Sequence, residues 1–340
     1  MGIRFAAVIA AYVLVGLAGL TVGAVALPLD EVLAFFTGGE VSQVARIIIV
    51  DVRATRTIVA LLVGAALGVT GLMMQTLFRN PLADPYVLGV SSGASLGVAL
   101  VVLVGGGSAY GAGFTAGLGL LGDLSAVAAA CVGSALTMLL VLVIGRFVGS
   151  SNTLLLLGVM LGYLVSSAVT IMLANARPEA ISQFTRWGFG SYQGVTWPTL
   201  AVLAPVLVVG LVASWPLAKG LNALLLGERY AETMGMNPKA MRAAIVVVSA
   251  VLAGAATAFC GPISFLGIAM PHVARTVFGT ANHRVLIPGV ILLGGSIALV
   301  AEILAQLPGN GVLPLNAVNA AIGAPVVIYI LLRRTRGAAW

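Results

Sequence analysis

The sequence predicts an all-α integral membrane protein of about ten transmembrane helices in a single domain, 1–340, and three observations predict it. Sixty per cent of the 340 residues are apolar and the mean hydropathy is +1.13, well beyond the roughly 45–50% apolar content of soluble domains. Most of the chain falls into runs close to the about 20 apolar residues that a helix needs to cross a bilayer. Runs such as 201–212 are continuously apolar, whereas the strands of a membrane β-barrel alternate.

The expected spans are 5–27, 57–77, 88–105, 124–145, 154–174, 198–217, 243–260, 263–275, 286–305 and 315–332. The first follows Arg4 and ends in Ala24, Val25 and Ala26, which imitate a signal cleavage site. It is too long for a signal core of about 7 to 15 residues, so it reads as a retained span. The third and eighth are the weakest: glycines interrupt one and the other is short. Broken helices survive in lipid only where protein or a cavity covers their free backbone groups. Gly19 and Gly23, Gly64 and Gly68, and Gly190 and Gly194 have the small-xxx-small spacing that lets helix backbones approach closely.

Ten spans put both termini on one side. With the termini in the cytoplasm, Arg4, Arg79, Arg146, Lys219, Arg229, Lys239, Arg242, Arg275, Arg284, Arg333, Arg334 and Arg336 lie inside, against Arg46, Arg53, Arg56, Arg177 and Arg186 outside. Twelve against five satisfies the positive-inside rule. The net charge of +7 would suggest nucleic acid in a soluble protein; here it describes topology instead. Cys131 and Cys260 read as small core hydrophobes.

Several chemistries are excluded. Neither Lys219 nor Lys239 follows a glycine, so the Gly-Lys pair of a phosphate-binding P-loop is missing. His272 and His283 have no neighbouring acid or cysteine and make no metal site. No nucleophile, base and orienting group stand together. Asp123 and Glu302 are expected at outer helix ends in contact with water, which argues against a proton relay.

One polar segment stands out: "LNALLLGERYAETMGMNPKAMR", within the loop 218–242. It reads as a short amphipathic helix with Leu224, Leu225, Tyr230 and Met234 on an apolar side and Glu228, Arg229 and Glu232 wet. Gly235 ends it, and Asn237 and Pro238 start the next helix. An apolar stripe on a cytoplasmic loop implies a soluble partner.

These residues carry a resemblance. "RATRTIVALLVGAALGVTGLMMQTLFRNPLADPYVLGVSSGAS", "RWGFGSYQGVTW", "LGERYAETMGMNP" with "FCGPISFLGIAMPHVAR", and "LPLNAVNAAIGAPVVIYILL" together resemble the permeases of type II ABC importers, the FecCD-like family that takes up iron–siderophore complexes, haem and vitamin B12. The resemblance implies two permease subunits, identical or paralogous, around a central pathway. It also implies two ABC ATPase subunits that carry the ATP and Mg, and an extracytoplasmic binding protein; this chain would bind no cofactor or metal and would sit in a bacterial plasma membrane.

By the same resemblance, Leu226, Gly227, Glu228, Arg229, Ala231 and Gly235 would form coupling helices in a cleft of the ATPase. Arg53 and Arg56 would accept carboxylates of the binding protein, a contact that is bidentate and steers docking. Asn80, Leu82, Ser151 and Asn152 match a cytoplasmic gate. Ser166, Ser167, Thr170, Asn316 and Asn319 are wall candidates on the fifth and tenth helices. Gln306 and Val312 stand where many relatives carry an arginine and a glutamate, so a third docking contact departs from the pattern.

The expectation is therefore a non-enzymatic permease importing a ferric siderophore by alternating access, with haem or vitamin B12 as the next cargoes. An ion-coupled secondary transporter, working without partners, is the rival of another class.

Overall fold

The computed structural model describes the chain except residues 24, 26, 106–119, 146, 149–150, 308–310 and 335–340. Arg146 and Arg336 of the topology argument thus lie outside the described residues, as do Ala24 and Ala26. The order is α1 (Gly2–Thr21), α2 (Leu29–Thr37), α3 (Gln43–Leu77), α4 (Val90–Ala99), α5 (Leu120–Gly145), α6 (Ser151–Ala174) and α7 (Pro178–Gly188), then α8 (Trp197–Ser214), α9 (Ala218–Leu225), α10 (Glu228–Thr233), α11 (Pro238–Cys260), α12 (Leu266–Phe278), α13 (His283–Gln306) and α14 (Leu315–Arg334). Among the described residues seven helices are long and apolar enough to cross a membrane, and Val90–Leu103 and Leu315–Tyr329 are shorter apolar helices. Each of the ten expected spans coincides with a helix.

α3 is the axis of the bundle. Over its apolar window 83% of the residues are buried, and α13, α12, α11 and α8 pack around it. Glycine makes these crossings possible. A Cβ at Gly64 would collide with the Gly294 carbonyl of α13, one at Gly294 with the Gly64 carbonyl, and one at Gly71 with the Gly267 carbonyl of α12. In lipid, where tails compete with side chains for apolar contact, such close backbone packing supplies the attraction between helices. Gly190 and Gly194 do not form the helix-packing pair their spacing suggests: they sit in the turn after α7, and Gly190 takes a φ of +70°.

α12 is the half-length helix the sequence foreshadows. After Cys260 the chain breaks at Gly261 (φ +73°) and restarts past Phe265, itself at φ +70°. Neighbours cover the freed backbone groups: Tyr86 Oη accepts from Ile263 N at 3.0 Å and Asn316 Oδ1 from Ser264 N at 3.0 Å, as a broken helix in a membrane requires.

α1 and α6 contrast with α3. Only 11% of α1's apolar window and 17% of α6's are buried inside the chain. Their large exposed side chains, such as Leu14, Tyr163 and Leu164, face lipid or a further subunit.

Candidate functional site

The polar segment between α8 and α11 is two short helices rather than one. α9 ends at Leu225, and Gly227 turns the chain at φ 112°, ψ 154° before α10 begins. That break redistributes the stripe: Leu224 is buried, while Leu225, Leu226, Tyr230 and Met234 are exposed. Leu226, Tyr230 and Met234 recur every four residues. Ala231, facing the other way, is fully buried. Arg229 and Glu232 are exposed.

α10 is closed by Gly235 at φ +79°, with Met236 N donating to the Ala231 carbonyl at 3.1 Å, the chain reversal that glycine permits at a helix end. α11 then starts as expected: Pro238 is its first residue, and Asn237 Oδ1 accepts from Lys239 N at 3.0 Å and Ala240 N at 3.2 Å. Glu228 is not simply wet, because its Oε1 accepts from Arg242 Nη2 of α11 at 3.2 Å.

The loop is tied into the bundle by groups that no local motif announces. Asn222 Oδ1 accepts from His283 N at 2.8 Å, with His283 Nδ1 also at 2.8 Å, and Asn222 Nδ2 donates to Asn282 Oδ1 at 2.9 Å. His283 Nε2 lies 2.8 Å from Thr76 Oγ1. One imidazole therefore joins α9 to the start of α13 and the end of α3. His272, on α12, lies 2.8 Å from the Pro81 carbonyl. Both histidines are buried.

Of the four expected gate residues, Asn80 and Leu82 share a tight turn. Asn80 Oδ1 accepts from Leu82 N at 3.0 Å, and the Leu82 side chain is exposed. Ser151 and Asn152 open α6, and their side chains lie outside the described residues.

The wall candidates divide. Ser166, Ser167 and Thr170 are exposed on α6, and two of their hydroxyls donate along their own helix, Ser167 to the Tyr163 carbonyl and Thr170 to the Ser166 carbonyl, each at 2.9 Å. Asn316 turns inward, donating to the Pro262 carbonyl at 2.7 Å and the Gly188 carbonyl at 3.2 Å. Asn319 is buried beside a small cavity of about 40 Å³. Asn316 thus braces the break before α12, whereas the buried Asn319 amide has no hydrogen-bond partner among the described residues.

Arg53 and Arg56 differ most from expectation. Both are buried, at 2% and 3% exposure. Arg53 donates to the Leu20, Thr21 and Val25 carbonyls at 3.2, 2.6 and 2.8 Å, and Arg56 to the Val22 carbonyl at 2.8 Å. They satisfy the last carbonyls of α1, which have no partner within their own helix, and carbonyls just beyond its end.

Arg56 also pairs with Glu302 of α13 at 3.7 Å and bonds Gln306, which donates to Glu302 at 2.6 Å. Glu302 is thus a buried ion-pair partner and not the solvated helix-end acid expected, and Gln306 joins that network. An intramembrane acid is a functional candidate by default; placing it too near a helix end concealed it. In this conformation neither guanidinium reaches the surface.

Among the described residues no group of three or more His, Cys, Asp or Glu could hold a metal ion. The comparisons with known proteins agree on what such a bundle is. The FecCD transport family matches residues 11–333. Vitamin B12 import system permease proteins BtuC of Salmonella paratyphi A and Salmonella typhimurium are each 37% identical over 290 residues, 84% of this chain and 84% of theirs. A solved structure described as an inward-facing conformation of an ABC transporter, assigned to the metal-chelate type, superposes with a TM-score of 0.82 at 26% identity, covering 98% of this chain and 99% of that one. The chain therefore belongs to the FecCD family of type II ABC importer permeases: a multi-pass transport subunit that carries no ATPase of its own and works in a family whose importers include ATPase and binding-protein partners.

Proposed function

We propose that this permease imports a cobalamin-type metal chelate, handed over by an extracytoplasmic binding protein and driven by an ABC ATPase seated on the 218–242 loop. The observation that carries the coupling part is the exposed stripe of Leu226, Tyr230 and Met234 on a loop pinned to α3, α11 and α13. A soluble partner covering that stripe can move three helices at once. In this reading Gly227 and Gly235 set the loop's shape, and Glu228, with Arg242, fixes its angle to α11. Arg229 and the buried Ala231 complete the seat.

The cargo is read from the relatives. Vitamin B12 permeases at 37% identity favour cobalamin over the ferric siderophore that the sequence alone suggested. The metal-chelate type assigned to the structural relative keeps a siderophore as the second reading. Asn80 and Leu82, with Ser151 and Asn152, are proposed as the cytoplasmic gate, and the hydroxyl face of α6 as pathway wall. A wall whose hydroxyls are satisfied along their own helix holds cargo weakly, as a conduit must. The distribution of basic residues supports a cytoplasmic location for both termini. Docking by Arg53 and Arg56 would require their release from α1 and Glu302.

The experiment is uptake in cells lacking other cobalamin and siderophore permeases. Cells expressing this chain with its ATPase and binding protein should accumulate labelled cyanocobalamin, and a protonophore should not stop them while ATP is maintained. Uptake of a ferric hydroxamate alone would replace the cargo. Uptake that needs no ATPase and collapses with the protonophore would overturn ATP coupling.

A further inference from the structure

α3 ends in a chain reversal of the kind that glycine usually makes. Arg79 N donates to the Thr76 carbonyl at 3.3 Å and Asn80 N to the Gln75 carbonyl at 3.1 Å, the paired bonds that close a helix around one left-handed residue. That residue is Arg79, at φ +49°, and among the described residues only Phe265, at the break before α12, is another non-glycine with positive φ. A Cβ disfavours this region, and such outliers persist where the surrounding structure holds them and gather at moving or functional parts.

The residues that follow form a stiff unit. Pro81 fixes its own φ and its ring keeps Asn80 out of the helical region. Asn80 Oδ1 accepts from Leu82 N at 3.0 Å, and the Asn80 carbonyl accepts from Ala83 N at 3.1 Å. On its far side the turn is held at the Pro81 carbonyl by His272 of α12, at 2.8 Å. Rotation between α3 and this turn is therefore left to Arg79. The side chain of Arg79 meanwhile reaches the 218–242 loop: its Nη1 lies 3.8 Å from where a Cβ on Gly227 would stand, at the point where α10 turns away from α9. α9 itself is fixed to the end of α3 through Asn222, His283 and Thr76, so a swing of α10 about Gly227 presses on this guanidinium.

We propose that Arg79 is the positioning residue through which the loop moves the gate: the turn 80–83 is a stiff flap, the backbone of Arg79 is its hinge, and the guanidinium beside Gly227 is the lever. The inference rests on the reading of Asn80 and Leu82 as the cytoplasmic gate and of the loop as the seat of the ATPase. Glycine at this position would make the same turn with less strain, but it would carry no lever. The proposal does not depend on which chelate is carried.

The test uses the complex with its ATPase in lipid nanodiscs, Leu82→Cys as a reporter, and the rate of labelling by a water-soluble maleimide with and without trapping by ATP and vanadate. The chain with Leu82 intact supplies the background from Cys131 and Cys260. Trapping should change the labelling rate at position 82. Arg79→Gln should remove most of that change while ATP is still hydrolysed, and Arg79→Lys should restore it. Arg79→Gly should hold the turn in its present position about 5- to 30-fold more firmly, the factor that a Cβ costs a left-handed residue. It should therefore lower ATP-dependent uptake without lowering the unfolding temperature, a pairing that a merely structural residue does not give. An equal response to trapping in Arg79→Gln and in the chain with Arg79 would overturn the proposal alone. Labelling indifferent to trapping while Arg79 is in place would overturn the gate reading and this proposal with it. Parallel losses of uptake and of thermal stability in Arg79→Gly would assign Arg79 to the fold and also overturn it.

Discussion

Replacing Gly227 with alanine isolates the geometry of the 218–242 loop, the proposed seat of the ATPase, from its contacts. Gly227 stands at φ 112°, ψ 154°, a region that only glycine enters freely and that costs a side-chain-bearing residue of order 1–3 kcal/mol. Packing adds nothing to that cost, because the new Cβ would meet only Arg79 Nη1, at 3.8 Å, an ordinary contact. The whole penalty therefore falls on the angle between α9 and α10, and 1–3 kcal/mol depopulates the native arrangement about 5- to 150-fold.

The expected result is a loss of that order in ATPase affinity and in ATP-dependent uptake, with normal membrane insertion and little change in the unfolding temperature of the bundle. Gly235→Ala, at φ +79° with nothing within 4 Å of its Cβ, should cost less, about 1–2 kcal/mol for a left-handed residue. Gly188→Ala, also in open space and without a positive φ, should be silent. The assay is copurification of the ATPase at graded concentration alongside uptake. If Gly227→Ala matched Gly188→Ala in both, the loop would not be shape-critical and the reasoning would fail.

Three further variants probe what the loop and the Arg56 network rest on. Glu302→Leu leaves Arg56 buried without its counter-charge and should cost about 3–5 kcal/mol, while Arg56→Met with Glu302→Leu should recover only part of that loss, because the Val22 carbonyl and Gln306 then lose their donor. Thermal unfolding of the purified chain measures both. Asn222→Ala removes the acceptor of His283 N and the neighbour of its Nδ1, a loss of about 1–3 kcal/mol. It should lower uptake more than cargo-independent ATPase activity, and a proportional fall in the two would show a merely structural role.

The spans were legible because hydropathy and length act locally, and the start of α11 was legible because Asn237 and Pro238 cap within one turn. The coupling segment was half legible. Its apolar stripe was visible, but the sharp break at Gly227 was not, since nothing adjacent distinguishes a glycine that bends a helix from one that tolerates it. What escaped were the long-range partnerships. Asn222 with His283, and Arg56 with Glu302, join residues far apart in sequence, and the burial of a charge follows from the neighbour that arrives, not from its own flanks. Arg53 and Arg56 read as surface cations for that reason, and the bonds by which Asn316 braces the break before α12 escaped because they belong to a different helix.

The hold of Arg53 and Arg56 on the end of α1 also dictates an order of manufacture. When α3 enters the bilayer its arginines can find the carbonyls of α1, already made, but Gln306, which Arg56 also bonds, is 250 residues away and not yet synthesised. Until α13 emerges, this end of α3 must keep a surplus of positive charge near the surface, where long side chains reach water. Chains truncated before α13 should therefore persist as loosely assembled, protease-sensitive species, however apolar their helices.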